Sequence, residues 1–233
     1  MSRRLALSAI LLGAALLMGG PSHAQDGAPA DCVPRAALDA YVQRSIDRKA
    51  DVYASLPMVP GRTLFVGSSL IEEGPWRALL GDDAVNRGIS AETTHDLLGR
   101  IGALAAERPA RIFLYTGGNN LSRRGETADQ AVSGVAAVLS ALKDASPETT
   151  IHLSTLLPRE AEHAEAVRAV NSGLVSLAAE RGVALIDVHA DFSDGTGALR
   201  PEFTNDGIHL NAHGYALWAA LIEQGLATPS ETQ

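Results

Sequence analysis

The chain has 233 residues, 46% of them hydrophobic, 20% charged and 4% aromatic. That is globular composition, with enough aliphatic side chains for a sizeable core and too many for disorder. A formal charge of -8 disfavours phosphate backbones and anionic lipid headgroups, so neither a nucleic-acid partner nor membrane-surface binding is expected; stable membrane insertion is not expected either, for the length of the chain's apolar run.

The first residues read as an address. Arg3 and Arg4 form a positive start, Leu5 to Met18 is almost purely aliphatic, and Gly19-Gly20-Pro21 breaks the run. Ser22-His23-Ala24 then places small residues at the -3 and -1 positions before Gln25, the pattern of a cleavable secretory signal peptide over residues 1–24. The aliphatic run is shorter than the ~20 residues of a spanning helix. A periplasmic or secreted protein is expected. The single cysteine, Cys32, excludes an internal disulfide framework and Cys-rich zinc sites. In an oxidising compartment it is either free in a flexible leader, residues 25–34, or paired to another chain.

Arg35 to Leu56 carries Leu38, Tyr41, Val42, Ile46, Val52, Tyr53 and Leu56 near helical spacing. After Pro60-Gly61 the pattern changes to short apolar runs suited to strands buried on both faces. They are Thr63–Val66, Ala84-Val85, Arg111–Tyr115, Thr150–Leu153 and Val183–Ile186. Helical stretches separate or follow them: Thr93 to Ala106, Ala128 to Leu142, Glu160 to Glu180, and a last one from about His213 to Gln224. Strands alternating with helices predict an α/β fold with a parallel sheet covered on both faces. No linker or repeat interrupts the alternation, so residues 35–228 are expected to form one domain.

In such sheets ligands bind outside the carboxyl ends of the strands. The chain there reads Gly67-Ser68-Ser69-Leu70, Asn86-Arg87-Gly88 and Gly117-Gly118-Asn119-Asn120, with Asp206-Gly207-Ile208-His209 near its end. A serine after a buried strand is by itself an ordinary helix cap. Ile71 stands where a Gly-x-Ser-x-Gly elbow needs its second glycine, so an α/β-hydrolase elbow is not supported. Asp206 and His209, three apart, can face one side of a turn, the carboxylate fixing the imidazole's tautomer while its other nitrogen meets Ser69. The developing oxyanion needs donors, each contributing on the order of 3 kcal/mol. The backbone N–H groups of Ser69 and Gly88 and the Asn119 amide are the candidates.

These blocks resemble the SGNH hydrolases, also called GDSL-type esterases and lipases, named for one Ser, Gly, Asn and His in four separated segments. Ser69, Gly88, Asn119 and His209 are the matching residues, and Leu210-Asn211-Ala212-His213-Gly214-Tyr215 is also similar to the family's ending. Two positions depart: Ser68 and Asn120 stand where the family has Asp, and both are expected to support loop geometry through hydrogen bonds.

The resemblance implies a three-layer α/β/α sandwich, flavodoxin-like, with about five parallel strands. It implies ester hydrolysis through an acyl-enzyme with catalytic Ser69, Asp206 and His209, and no metal or organic cofactor. An ordinary imidazole titrates near ~6.5 and a neighbouring carboxylate raises that, so an acidic limb in kcat/KM is expected.

Leu70, Asn120 and Leu121 are candidates for lining a substrate pocket, with Ile71 and Trp76 as further flanking residues. Arg123 and Arg124 read as solvated, with contact to a polar substrate as the alternative, and His152 as a buried, hydrogen-bonded core residue. Connections too short for a lid favour an esterase on small-molecule or polymer-borne esters, with acetyl-like acyl groups preferred. Carbohydrate esters, lysophospholipids and thioesters stay open. The rivals are a non-catalytic carbohydrate-binding member and an acyltransferase using the same acyl-enzyme.

Overall fold

The computed structural model describes residues 34–58 and 60–227. The expected signal peptide, Cys32 and all of the expected leader but Pro34 lie outside the described residues.

Helix α1 (Arg35–Ser55) leads into β1 (Thr63–Gly67), α2 (Ser69–Glu72), α3 (Trp76–Leu80) and β2 (Ala84–Gly88). Then come α4 (Thr94–Leu98), α5 (Ile101–Ala106), β3 (Arg111–Tyr115), α6 (Gly118–Arg124) and α7 (Ala128–Ala145). The chain continues through β4 (Thr150–Ser154), α8 (Ala164–Arg181), β5 (Ala184–Ile186), α9 (His189–Phe192) and α10 (Ala212–Ala227). All strand pairs are parallel, in the order β2-β1-β3-β4-β5. Helices α4, α5, α7 and α8 pack in succession on one face, and α3 packs on α10 on the other. This is the flavodoxin-like three-layer sandwich that the sequence and its resemblance predict. Strand order reverses between β1 and β3, and a crevice opens at such a reversal beyond the strands' carboxyl ends.

The central strands are continuous apolar runs because both faces are covered: every residue of β1 is buried, and so are Ile112 to Tyr115 of β3. The few aromatic side chains concentrate beneath the crevice. Phe65 stacks on Trp76 at 4.9 Å, and Trp218 meets Trp76 edge-on at 5.2 Å and Tyr115 at 5.1 Å. Such pairs add about 0.5–1.5 kcal/mol each beyond area burial. The Trp76 indole donates to the Ile71 carbonyl at 2.8 Å, and the Tyr215 hydroxyl donates to the Leu70 carbonyl at 3.0 Å. The aromatic core thereby grips the turn that carries Ser69.

Three elements differ from their sequence-based expectation, and a fourth, α1, forms as expected but buries little. The stretch Thr93 to Ala106 is two helices, because Arg100 leaves helical geometry (φ -117, ψ 8) to turn its guanidinium inward. The stretch from Glu160 opens on a 3-10 turn, Ala161–His163, before α8. Strand β2 runs on through Asn86, Arg87 and Gly88, which pair with Phe65, Val66 and Gly67 of β1. Helix α1 forms, yet of its apolar positions only Ile46 is buried; Leu38, Tyr41 and Val52 are exposed, as is Leu56 just beyond it. The short helices α2, α3, α6 and α9 have too few residues for periodicity to reveal them.

Candidate active site

Ser69 owes its position to Gly67. A Cβ on Gly67 would lie 2.1 Å from the Tyr115 carbonyl oxygen, and its φ of 156 is closed to most side chains, so only glycine lets β1 turn here against β3. Ser68 caps α2 by backbone geometry alone, without a side-chain capping bond, contrary to the support expected of it. Nothing in the structure explains serine at that position. Ser69 follows as the first residue of α2, where its N–H has no intrahelical acceptor.

From the other end of the chain, the loop before α10 brings in the imidazole. His209 Nε2 lies 3.1 Å from Ser69 Oγ, and His209 Nδ1 lies 2.8 Å from Asp206 Oδ2. The second carboxylate oxygen, Oδ1, accepts the backbone N–H groups of Ile208 at 2.9 Å and His209 at 2.7 Å. Thr204 Oγ1 accepts from the Gly207 N–H and donates to the His209 carbonyl, closing the turn. The His209 side-chain bond, followed by the His209 backbone N–H, holds the Asp206 carboxyl well below the usual carboxylate range. An ionised Asp206 favours the tautomer with its proton on Nδ1, leaving Nε2 free to accept the Ser69 proton. The His209 and Asp206 side chains are 34% and 53% exposed, so the site is open to solvent.

The expected oxyanion donors differ in what their hydrogen bonds leave free. Asn119 Nδ2 donates to the Glu92 carbonyl at 2.9 Å, which orients the amide and leaves its second hydrogen available. Gly88 is differently placed. Its N–H already donates to Asn86 Oδ1 at 2.9 Å, and a Cβ there would lie 2.2 Å from the Glu72 backbone nitrogen. Gly88 is glycine for close packing of β2 on α2, and its single donor is engaged. Three residues on, Ala91 has φ 63, a left-handed conformation costing a non-glycine residue about 1–3 kcal/mol. Its N–H has no partner among the described residues. Ala91 sits between Ser90, whose N–H is held by Glu72 of α2, and Glu92, whose carbonyl holds Asn119. No sequence signal marks it, since alanine rarely occupies this conformation.

Beneath the loop, Arg100 grips Glu92 through both carboxylate oxygens at 2.5 and 2.7 Å and donates to the Arg87 carbonyl at 2.8 Å. Arg87 grips Glu107 in the same way at 2.7 and 2.8 Å. Burial pushes the Glu92 carboxyl up, against the pull of Arg100.

Of the pocket candidates, Leu70 is buried and Leu121 packs against the core. Ile71 and Trp76 are core residues as well. Asn120 is fully buried: its oxygen accepts the Thr94 N–H at 3.0 Å, and its NH2 donates to Thr94 Oγ1 and Glu126 Oε2, each at 2.7 Å. It fastens α6 to α4 and has no free polar atom for a substrate. The same contact accounts for asparagine there, since an aspartate would set two carboxylates against each other.

Arg123 is not a free solvated cation; Asp96 and Gln43 hold it at 2.9 and 3.0 Å. His152 is buried as expected, its Nδ1 has no hydrogen-bond partner among the described residues, and burial pushes its pKa down. A cleft of about 560 Å³ lined by Leu139, Lys143, Thr150 and Arg181 lies at the amino-terminal edge of the sheet, away from Ser69.

Residues 65–217, most of the described chain, match the GDSL-like Lipase/Acylhydrolase family. The chain belongs to this family. Platelet-activating factor acetylhydrolase IB subunit alpha2 of Rattus norvegicus is 31% identical over 190 residues, covering 73% of this chain and 80% of the relative. A solved structure from Streptococcus pneumonia superposes with a TM-score of 0.72 at 25% identity, covering 82% of this chain and 97% of that one. A GDSL-like lipase of Bacteroides thetaiotaomicron shares the fold at a TM-score of 0.67 and 22% identity, covering 78% and 96%. As a GDSL-like acylhydrolase, the protein is an ester hydrolase.

Proposed function

We propose that this GDSL-like hydrolase is a serine esterase working through an acyl-enzyme at Ser69. The observation that carries the reading is the continuous relay from Ser69 Oγ through both His209 nitrogens to Asp206, at 3.1 and 2.8 Å. Ser69 Oγ attacks the ester carbonyl as its proton passes to His209 Nε2. The oxyanion is met by the N–H groups of Ser69 and Ala91 and the free Asn119 amide hydrogen. Collapse breaks the carbonyl–alkoxy bond, and His209 returns its proton to the leaving alcohol. Water then adds to the acyl-enzyme, His209 takes and returns a second proton, and the acid leaves.

The preferred acyl group is small and acetyl-like, which the name of the acetylhydrolase relative supports. The exposure of His209 and Asp206 suits esters carried on carbohydrates or lysophospholipids as well as small molecules. Residues 35–228 act as one domain after a signal peptide is removed, which puts the enzyme in the periplasm or outside the cell.

Fluorophosphonate labelling with peptide mapping tests the nucleophile. Modification at Ser69 that vanishes in Ser69→Ala is expected, and an unlabelled wild-type protein at neutral pH favours a non-catalytic binding role instead. Nitrophenyl esters of rising chain length test the acyl preference, with acetyl expected to exceed octanoyl in kcat/KM.

A further inference from the structure

Helix α1 precedes the residues that match the family, and it gives the core little. Its one buried side chain is Ile46. Its polar contacts, by contrast, converge on the loop that carries Ala91. Tyr53 donates its hydroxyl to the Gly88 carbonyl at 2.9 Å, and the Arg87 guanidinium lies over the Tyr53 ring at 5.1 Å. Lys49 Nζ pairs with Glu72 Oε1 at 2.9 Å, while Glu72 Oε2 accepts the Ser90 N–H at 2.5 Å. Gln43 Oε1 accepts from Arg123, whose other terminal nitrogen reaches Asp96 at 2.9 Å and the Ala91 carbonyl at 3.4 Å. The loop is therefore held at the Gly88 carbonyl, the Ser90 N–H and the Ala91 carbonyl. Each hold touches α1 directly or through one intervening side chain.

The strained residue lies between the last two holds. Ser90 is fixed before Ala91 and the Ala91 carbonyl after it, so the direction of the Ala91 N–H follows from where Glu72 and Arg123 stand. Lys49 and Glu72 keep 37% and 25% of their side chains exposed, and an ion pair that open contributes little to stability. Its leverage is on geometry.

We propose that α1 is a brace that keeps the 88–91 loop in its strained conformation, with Lys49, Gln43 and Tyr53 as positioning residues for the Ala91 N–H. This rests on the serine-esterase reading, in which that N–H meets the oxyanion. Because the oxyanion exists only in the transition state, loosening the brace lowers kcat and leaves KM alone.

The test is steady-state hydrolysis of nitrophenyl acetate by the full-length protein carrying Lys49→Met, Gln43→Ala or Tyr53→Phe, with Lys49→Arg and Ser69→Ala in parallel. Loss of one oxyanion donor costs roughly 10²–10³ in kcat, and a donor left misaimed is expected to cost about 10-fold or more. Lys49→Met should show that fall with KM within about twofold and an unchanged melting temperature, and Lys49→Arg should recover most of the rate. Single variants that all keep kcat within about twofold overturn the brace, and so does a loss that follows melting temperature and is not rescued by arginine. A Ser69→Ala protein that retains full activity overturns the esterase mechanism itself, whatever the α1 variants do.

Discussion

Replacing Asp206 with asparagine separates two jobs the carboxylate does at once. Oδ1 accepts the Ile208 and His209 N–H groups and shapes the turn, while Oδ2 faces His209 Nδ1 at 2.8 Å. The asparagine oxygen can keep the turn, but its NH2 then faces Nδ1, which must accept. The ring proton moves to Nε2, 3.1 Å from Ser69 Oγ, and the imidazole donates where it should receive. In a buried triad this change costs ~10⁴ in kcat with geometry intact. Asp206 is half exposed, and water competes for both partners, so a loss of roughly 10²–10⁴ is expected, or about 3–5.5 kcal/mol.

Initial rates on nitrophenyl acetate measure it, with Asp206→Ala beside it to show what losing the turn adds. The folded pKa of Asp206 is depressed, so its contribution to stability is present above its unfolded value near ~3.9 and is lost as pH falls below it. The melting-temperature gap between wild type and Asp206→Asn should accordingly narrow only below about pH 4. An Asp206→Asn enzyme within about threefold of wild type, with only Asp206→Ala impaired, would refute the tautomer argument and leave the residue a loop anchor.

Activity should fall on the acid side with unit slope in log kcat/KM. Asp206 stays ionised there, and the limb reports the base that must be free of its proton to accept one from Ser69; a rate flat from acid to alkaline pH contradicts the mechanism. Arg100→Met strands the Glu92 carboxylate in the interior, where the Arg100 and Glu92 side chains are 8% and 1% exposed. A cost of about 3–5 kcal/mol is expected, or a fall of roughly 6–20 °C in melting temperature, with substantial recovery in Arg100→Met/Glu92→Met; a shift under about 2 °C refutes it.

Chain order alone revealed the alternation of strands and helices, because a strand buried on both faces must be a short apolar run and each crossover needs an amphipathic helix. It also placed Ser69, Asn119, Asp206 and His209 at strand ends or a late loop, since Gly, Asn and Asp in clusters mark turns at any level of description. It could not tell whether the N–H of Gly88 or that of Ala91 is left free. That choice depends on which N–H is already taken, and Asn86 takes the Gly88 N–H across two residues of β2. Nor could it assign Asn120, whose buried amide answers to Glu126 and Thr94, or foresee that Arg100 would break a helix to reach Glu92. Local propensity and periodicity are written in neighbouring residues. Hydrogen-bond satisfaction and charge pairing are settled between segments far apart in the chain, and only the folded structure brings them within reach of one another.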